Sequence, residues 1–138
     1  MSRWRLFYHV VWATKGREPV ITPDREPAVQ QRLRAAAERQ EIIVHAIGGT
    51  DDHVHLAVSI PPTTTIATAL QRIKGASSRD LNEEFGGGFS WQADYSIDSF
   101  SERHLDRVIG YITDQRRHHA EGSLWERIEL STGADRSK

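Results

Sequence analysis

Apolar and polar positions alternate along residues 53–60. Val54, Leu56, Val58 and Ile60 fall on one face of an extended chain, and His53, His55, Ala57 and Ser59 on the other. The first face suits a sheet buried against helices. Upstream, Trp4 to Ala13 is rich in aromatic and β-branched residues and predicts a first strand, and Ile42 to Ile47 predicts a second. Gly48-Gly49-Thr50-Asp51-Asp52 turns that second strand into the histidine strand, as an antiparallel hairpin. Pro61-Pro62 ends it.

Helical spacing fills the gaps. Thr22-Pro23 reads as an N-cap with proline at the first helical position, opening a helix to about Gln40 with Val29, Leu33, Ala36 and Ala37 inward. Thr63 to Thr65 can cap a second helix, whose stripe is Ile66, Leu70, Ile73, Ser77 and Leu81. Asn82 to Gly88 reads as a glycine-rich loop, and a short fourth strand falls near Tyr95 to Ser99. Ser99 and Glu102 offer a capping box for a last helix with Leu105, Val108, Ile109 and Ile112 inward, closing near Gly122. The order β-α-β-β-α-β-α predicts an α+β, ferredoxin-like (split β-α-β) fold, an antiparallel sheet with two helices on one face. The extra C-terminal helix is then free to lie near the other face, where the histidines point. One domain over 1–130 with a flexible tail over 131–138 is expected.

Composition narrows the chemistry. The 138 residues hold no cysteine, which excludes disulfides, thiolate metal sites and thiol nucleophiles. No apolar run approaches the roughly 18 residues a membrane span needs, so a cytoplasmic protein is expected. The net charge of −1 gives no general support for nucleic-acid binding, but basic residues cluster at 3–5, 15–17, 72–79 and 103–117.

His53 and His55 stand about 6–7 Å apart at a strand rise of about 3.3 Å per residue, a spacing at which two neutral imidazoles can share one metal ion. On the last helix Tyr111 and Gln115 are i and i+4 neighbours on a flank beside the docking stripe. They can complete the site, Gln115 as third ligand and Tyr111 as nucleophile. Gly110 inside that helix costs up to about 1 kcal/mol relative to alanine, which a close backbone approach or a mobile segment would rationalise.

His53-Val54-His55 fits the His-hydrophobic-His motif of the HUH nucleases, and Tyr111-Ile112-Thr113-Asp114-Gln115 with His118-His119 resembles the tyrosine helix of the single-tyrosine HUH transposases. Thr14-Lys15-Gly16-Arg17, Lys74-Gly75-Ala76-Ser77-Ser78 and Trp91-Gln92 before Tyr95 also fall where that family has similar residues. The resemblance implies cutting and rejoining of single-stranded DNA at hairpin-marked ends, through a 5′-phosphotyrosine on Tyr111. It implies Mg²⁺ or Mn²⁺ held by His53, His55 and Gln115, no need for ATP, and a homodimer whose sites are shared in trans.

Plainer roles compete. Asp51 and Asp52 read as turn formers ahead of partners for the histidines, and Trp91 as a packing residue ahead of a base-stacking one. Arg72, Lys74, Arg79, Arg116 and Arg117 are candidate DNA contacts, balanced against ordinary solvated helix faces. His118 and His119 can favour a helix C-terminus or contact DNA. Two other functions stay open: a domesticated copy that binds hairpin DNA without cutting it, and a replication-initiator or relaxase-type nickase.

Overall fold

A computed structural model describes residues 3–115 of the chain. Arg116, Arg117, His118, His119, Gly122, Trp125 and the tail over 131–138 lie outside the described residues. Four strands, β1 (Phe7–Ala13), β2 (Ile43–Gly49), β3 (His53–Ser59) and β4 (Ser96–Phe100), form one antiparallel sheet in the order β2-β3-β1-β4. With α1 (Glu26–Arg39) and α2 (Ile66–Phe85) on one face, this is the split β-α-β arrangement that the alternation and helical stripes predict. α3 (Leu105–Thr113) lies on the other face, against β2 and β3.

The period-two reading of β3 holds residue by residue. Val54, Leu56, Val58 and Ile60 join Val10 and Trp12 of β1 in a core with Val29 and Leu33 of α1 and Leu70, Ile73 and Leu81 of α2. A much smaller cluster, Ala46, Ala57, Val108, Tyr111 and Ile112, seats α3. The β2–β3 register shifts between Val44 and Ala46, a bulge at His45.

Element ends move from their sequence-predicted places for local reasons. Thr22 does accept a hydrogen bond from the Arg25 N–H, but it closes a turn, and regular helix starts at Glu26 with Pro27 in its first turn. Thr65 caps α2 as expected, its hydroxyl accepting from the Thr68 N–H at 3.1 Å. α2 then continues through Asn82 to Phe85 and stops at Gly86, whose φ of 79° is left-handed. Asn82 is no helix breaker here: its side chain clamps the glycine turn by donating to the Phe89 carbonyl and accepting from the Phe89 N–H, both at 2.7 Å. Ser99 is paired with Tyr8 in β4 and caps nothing, so the last helix is entered at Ser101 through a 3-10 turn over Glu102–His104.

Gly110 borders no close neighbour, and a methyl group there would meet nothing within 4 Å. The close approach is at Gly48 instead, where a Cβ would overlap the backbone carbonyl of Ile112. β2 and α3 meet backbone to backbone because Gly48 has no side chain.

Candidate active site

The site forms where α3 crosses β3. Gly48 is the direct partner of His55 across the β2–β3 ladder, so the glycine that admits α3 also brings that helix down onto the histidines. His53 and His55 share a face two residues apart, with ring centroids 5.1 Å apart and planes at 59°. Tyr111 packs edge-on against His55 at 5.9 Å and against His9 at 6.5 Å. The Gln115 side chain hydrogen-bonds the His53 ring, and its Nε2 donates to the Tyr111 carbonyl at 3.3 Å.

All four sequence-predicted residues are therefore brought together. Tyr111 and Gln115 do not flank the docking surface; they belong to it, at 3% and 1% exposure. Tyr111 stands beside His55.

Each histidine has a neighbour at its Nδ1. For His53 that neighbour is Asp52, whose Oδ1 lies 2.8 Å away, with the Thr50 hydroxyl at 3.0 Å. A carboxylate accepts, so the Asp52 contact favours a proton on Nδ1, the tautomer whose Nε2 could accept a cation. Asp52 thus does more than form the turn that its sequence position favours. Burial alone would push its carboxyl up, but the bond from His53, the Arg17 guanidinium at 3.4 Å and the Thr50 hydroxyl hold it below the usual range. Burial lowers the His53 pKa against the opposing pull of Asp52, which favours the neutral ring. For His55 the neighbour is His9, whose Nε2 lies 2.9 Å from Nδ1.

The donor set suits a divalent cation. Two imidazoles and one side-chain amide could offer two nitrogens and an oxygen at a place walled off by α3. Among the described residues no group of three or more His, Cys, Asp or Glu side chains gathers to hold a metal, and the Gln115 amide is the further side-chain donor beside the two histidines.

Arg72, Lys74 and Arg79 do not join this site. All three are on α2, the layer across the sheet from His53 and His55. Lys74 donates to the Ala93 and Asp94 carbonyls at 3.0 and 3.2 Å and lies over the Trp12 and Tyr95 rings. Arg72 reaches the Gln40 side chain at 3.4 Å. Trp91 packs edge-on against Phe89 and Trp12, and its indole N–H donates to Ser77 at 2.9 Å, which is the packing role.

His9 and Thr50 are not among the sequence candidates, and Asp52 reads there as a turn former ahead of a histidine partner. Their signal is weak in sequence: His9 is one member of an aromatic strand, and the other two look like turn chemistry.

The sequence profile described as "Transposase IS200 like" matches residues 2–115. The chain belongs to the IS200-like transposase family. Among its relatives, the ISDra2 transposase TnpA of Deinococcus radiodurans is 30% identical over 119 residues, covering 81% of this chain and 85% of that one. The IS200 transposase of Salmonella typhimurium is 32% identical over 85 residues, 62% of this chain and 56% of its own. A crystal structure from D. radiodurans R1, described as that of a candidate transposase, superposes with a TM-score of 0.67 at 28% identity, covering 81% of this chain and 95% of that one. A REP-associated tyrosine transposase bound to a REP hairpin shares the fold, with a TM-score of 0.59 at 12% identity over 81% of this chain and 70% of that one. This transposase thus has the α+β fold of its structural neighbours. Among the described residues no helix is long and apolar enough to cross a membrane.

Proposed function

We propose that this transposase cuts and rejoins single-stranded DNA at hairpin-marked element ends, with Tyr111 as the covalent nucleophile and His53, His55 and Gln115 as ligands of Mg²⁺ or Mn²⁺. The observation that carries the reading is the convergence of these four side chains, two from β3, one from α3 and one from just past its C-terminal end, in a chain of a transposase family. The Tyr111 oxygen attacks the scissile phosphorus, and a tyrosine–phosphate bond forms as the bond to the 3′ oxygen breaks. The phenolic proton is lost and the departing 3′ oxygen gains one, leaving a free 3′-hydroxyl. Attack by a 3′-hydroxyl in the reverse sense frees Tyr111 and joins the strands. One phosphodiester replaces another, so no nucleotide need be hydrolysed.

A metal held by His53, His55 and Gln115 would supply positive charge to the phosphate oxygens, and the two nitrogen donors suit Mn²⁺ better than Mg²⁺. The chain itself fixes the ligand rings and places Tyr111 against His55. At 3% exposure, Tyr111 meets a phosphate only after α3 shifts from the sheet. That is also the movement a homodimer with sites shared in trans needs. The hairpin-bound fold neighbour supports hairpin recognition, with Arg72 and Arg79 on α2 as proposed backbone contacts.

The test is strand cleavage. End-labelled single-stranded DNA from the element ends, incubated with Mn²⁺, yields a defined cut that EDTA abolishes and duplex DNA does not support. Hairpin binding without any cut under these conditions would instead point to a domesticated binding protein.

A further inference from the structure

We infer that His9 is a positioning residue for His55, holding that ring in the one tautomer whose Nε2 can accept a cation. The inference rests on the metal reading above. His9 of β1 is the diagonal neighbour of His55 on the same face of the sheet: His9 pairs with Ala57, and His55 with Val11. Their rings stack at 5.1 Å and 22°, and His9 Nε2 lies 2.9 Å from His55 Nδ1. Both rings are buried, at 4% and 0% exposure, so this contact is not shared with bulk water.

Two ring nitrogens in hydrogen-bond contact share one proton. If it sits on His55 Nδ1, His9 accepts and the lone pair of neutral His55 is on Nε2. If it sits on His9 Nε2, His55 Nδ1 accepts, the remaining proton of His55 moves to Nε2, and no lone pair is left there for a cation. His9 therefore plays for His55 the part that Asp52 plays for His53, with a neutral acceptor in place of a carboxylate. Val11, directly opposite His55, has no acceptor to offer. Asp98, directly across the β1–β4 ladder from His9, and Tyr111, edge-on to it from α3, complete the surroundings.

The experiment measures Mn²⁺ binding to the full chain by calorimetry, without DNA, for the unmodified protein and for His9→Phe, His9→Gln and His55→Ala. Thermal melting checks that each variant is folded. Phenylalanine keeps the ring volume and removes the acceptor, so affinity falls by about 10–100-fold. Glutamine returns an amide oxygen near the Nε2 position and recovers most of the loss. Unchanged affinity in His9→Phe, with binding lost in His55→Ala, would overturn the inference alone. Unchanged affinity in His55→Ala would overturn the metal reading beneath it. Nitrogen-15 NMR of the metal-free, unmodified protein gives a readout that needs no variant: the His55 proton is expected on Nδ1, and finding it on Nε2 would sink the inference.

Discussion

On one side of the sheet, Val10, Trp12, Val54, Leu56 and Val58 meet two long helices over a broad apolar core. On the other, the same strands turn out His9, His53, His55 and Ser59, and a nine-residue helix closes over them on a five-residue apolar cluster. The first face gains free energy from apolar burial. The second buries polar rings and so depends on their being hydrogen-bonded to one another. Adjacent residues of β3 therefore answer to different constraints: Leu56 to packing and His55 to its hydrogen-bonded contact with His9.

Substitutions on neighbouring positions can break that contrast. Leu56→Ala should cost about 2–5 kcal/mol in urea unfolding, as for other large-to-small changes in a filled core. It should leave the Mn²⁺ affinity of the folded fraction alone; a specific loss of metal affinity would mean that the two faces are not separable.

The polar face should also carry a pH signature. Burial lowers the His9 pKa to about 4 against the opposing charge of Asp98. Between that value and the ordinary 6.5 the unfolded chain binds more protons than the folded one, so stability rises with pH across the window. It is fully present above pH about 6.5 and lost as pH falls toward 4, by at most about 3 kcal/mol for this group. His53 and His45, also lowered by burial, act in the same direction. Unfolding at pH 7, 6 and 5 measures the slope, and His9→Gln should flatten it; an unchanged slope in that variant would assign the effect elsewhere.

Gly48→Ala should cost about 1–3 kcal/mol, because the new methyl meets the Ile112 carbonyl and one backbone has to give way. The damage should concentrate on α3, read as faster amide exchange over Leu105–Thr113 than over α1 or α2. Uniform loss of protection would contradict a helix held at that one crossing. The smallest effect belongs to Thr65→Ala, about 1 kcal/mol from the lost α2 cap, with no change at the histidines.

The same contrast explains what could be read in the sequence. Faces set by a local period were legible: the alternation through β3, the stripes of α1 and α2, and the pairing of Tyr111 with Gln115 one turn on. Features that depend on where two distant segments meet were not. Asp52 looks like a turn residue until its carboxylate is found at the His53 ring, and His9 is anonymous until the β1–β3 register sets it diagonal to His55. Gly110 and Gly48 are the sharpest case. Both are glycines in or beside regular elements, but only knowledge that α3 crosses β2 tells which one a close approach requires. Asn82 and Ser99 misled for a related reason, since their side chains and backbone serve a loop clamp and a strand pairing that no local window contains.

The central claim is that the histidine face does chemistry through Tyr111. It is tested most directly by denaturing the protein after incubation with Mn²⁺ and single-stranded element-end DNA, digesting it, and locating the DNA-linked peptide by mass spectrometry. The account predicts one linked peptide, with the nucleotide on Tyr111 and no adduct in Tyr111→Phe. An adduct on another residue, or one that survives Tyr111→Phe, would contradict it.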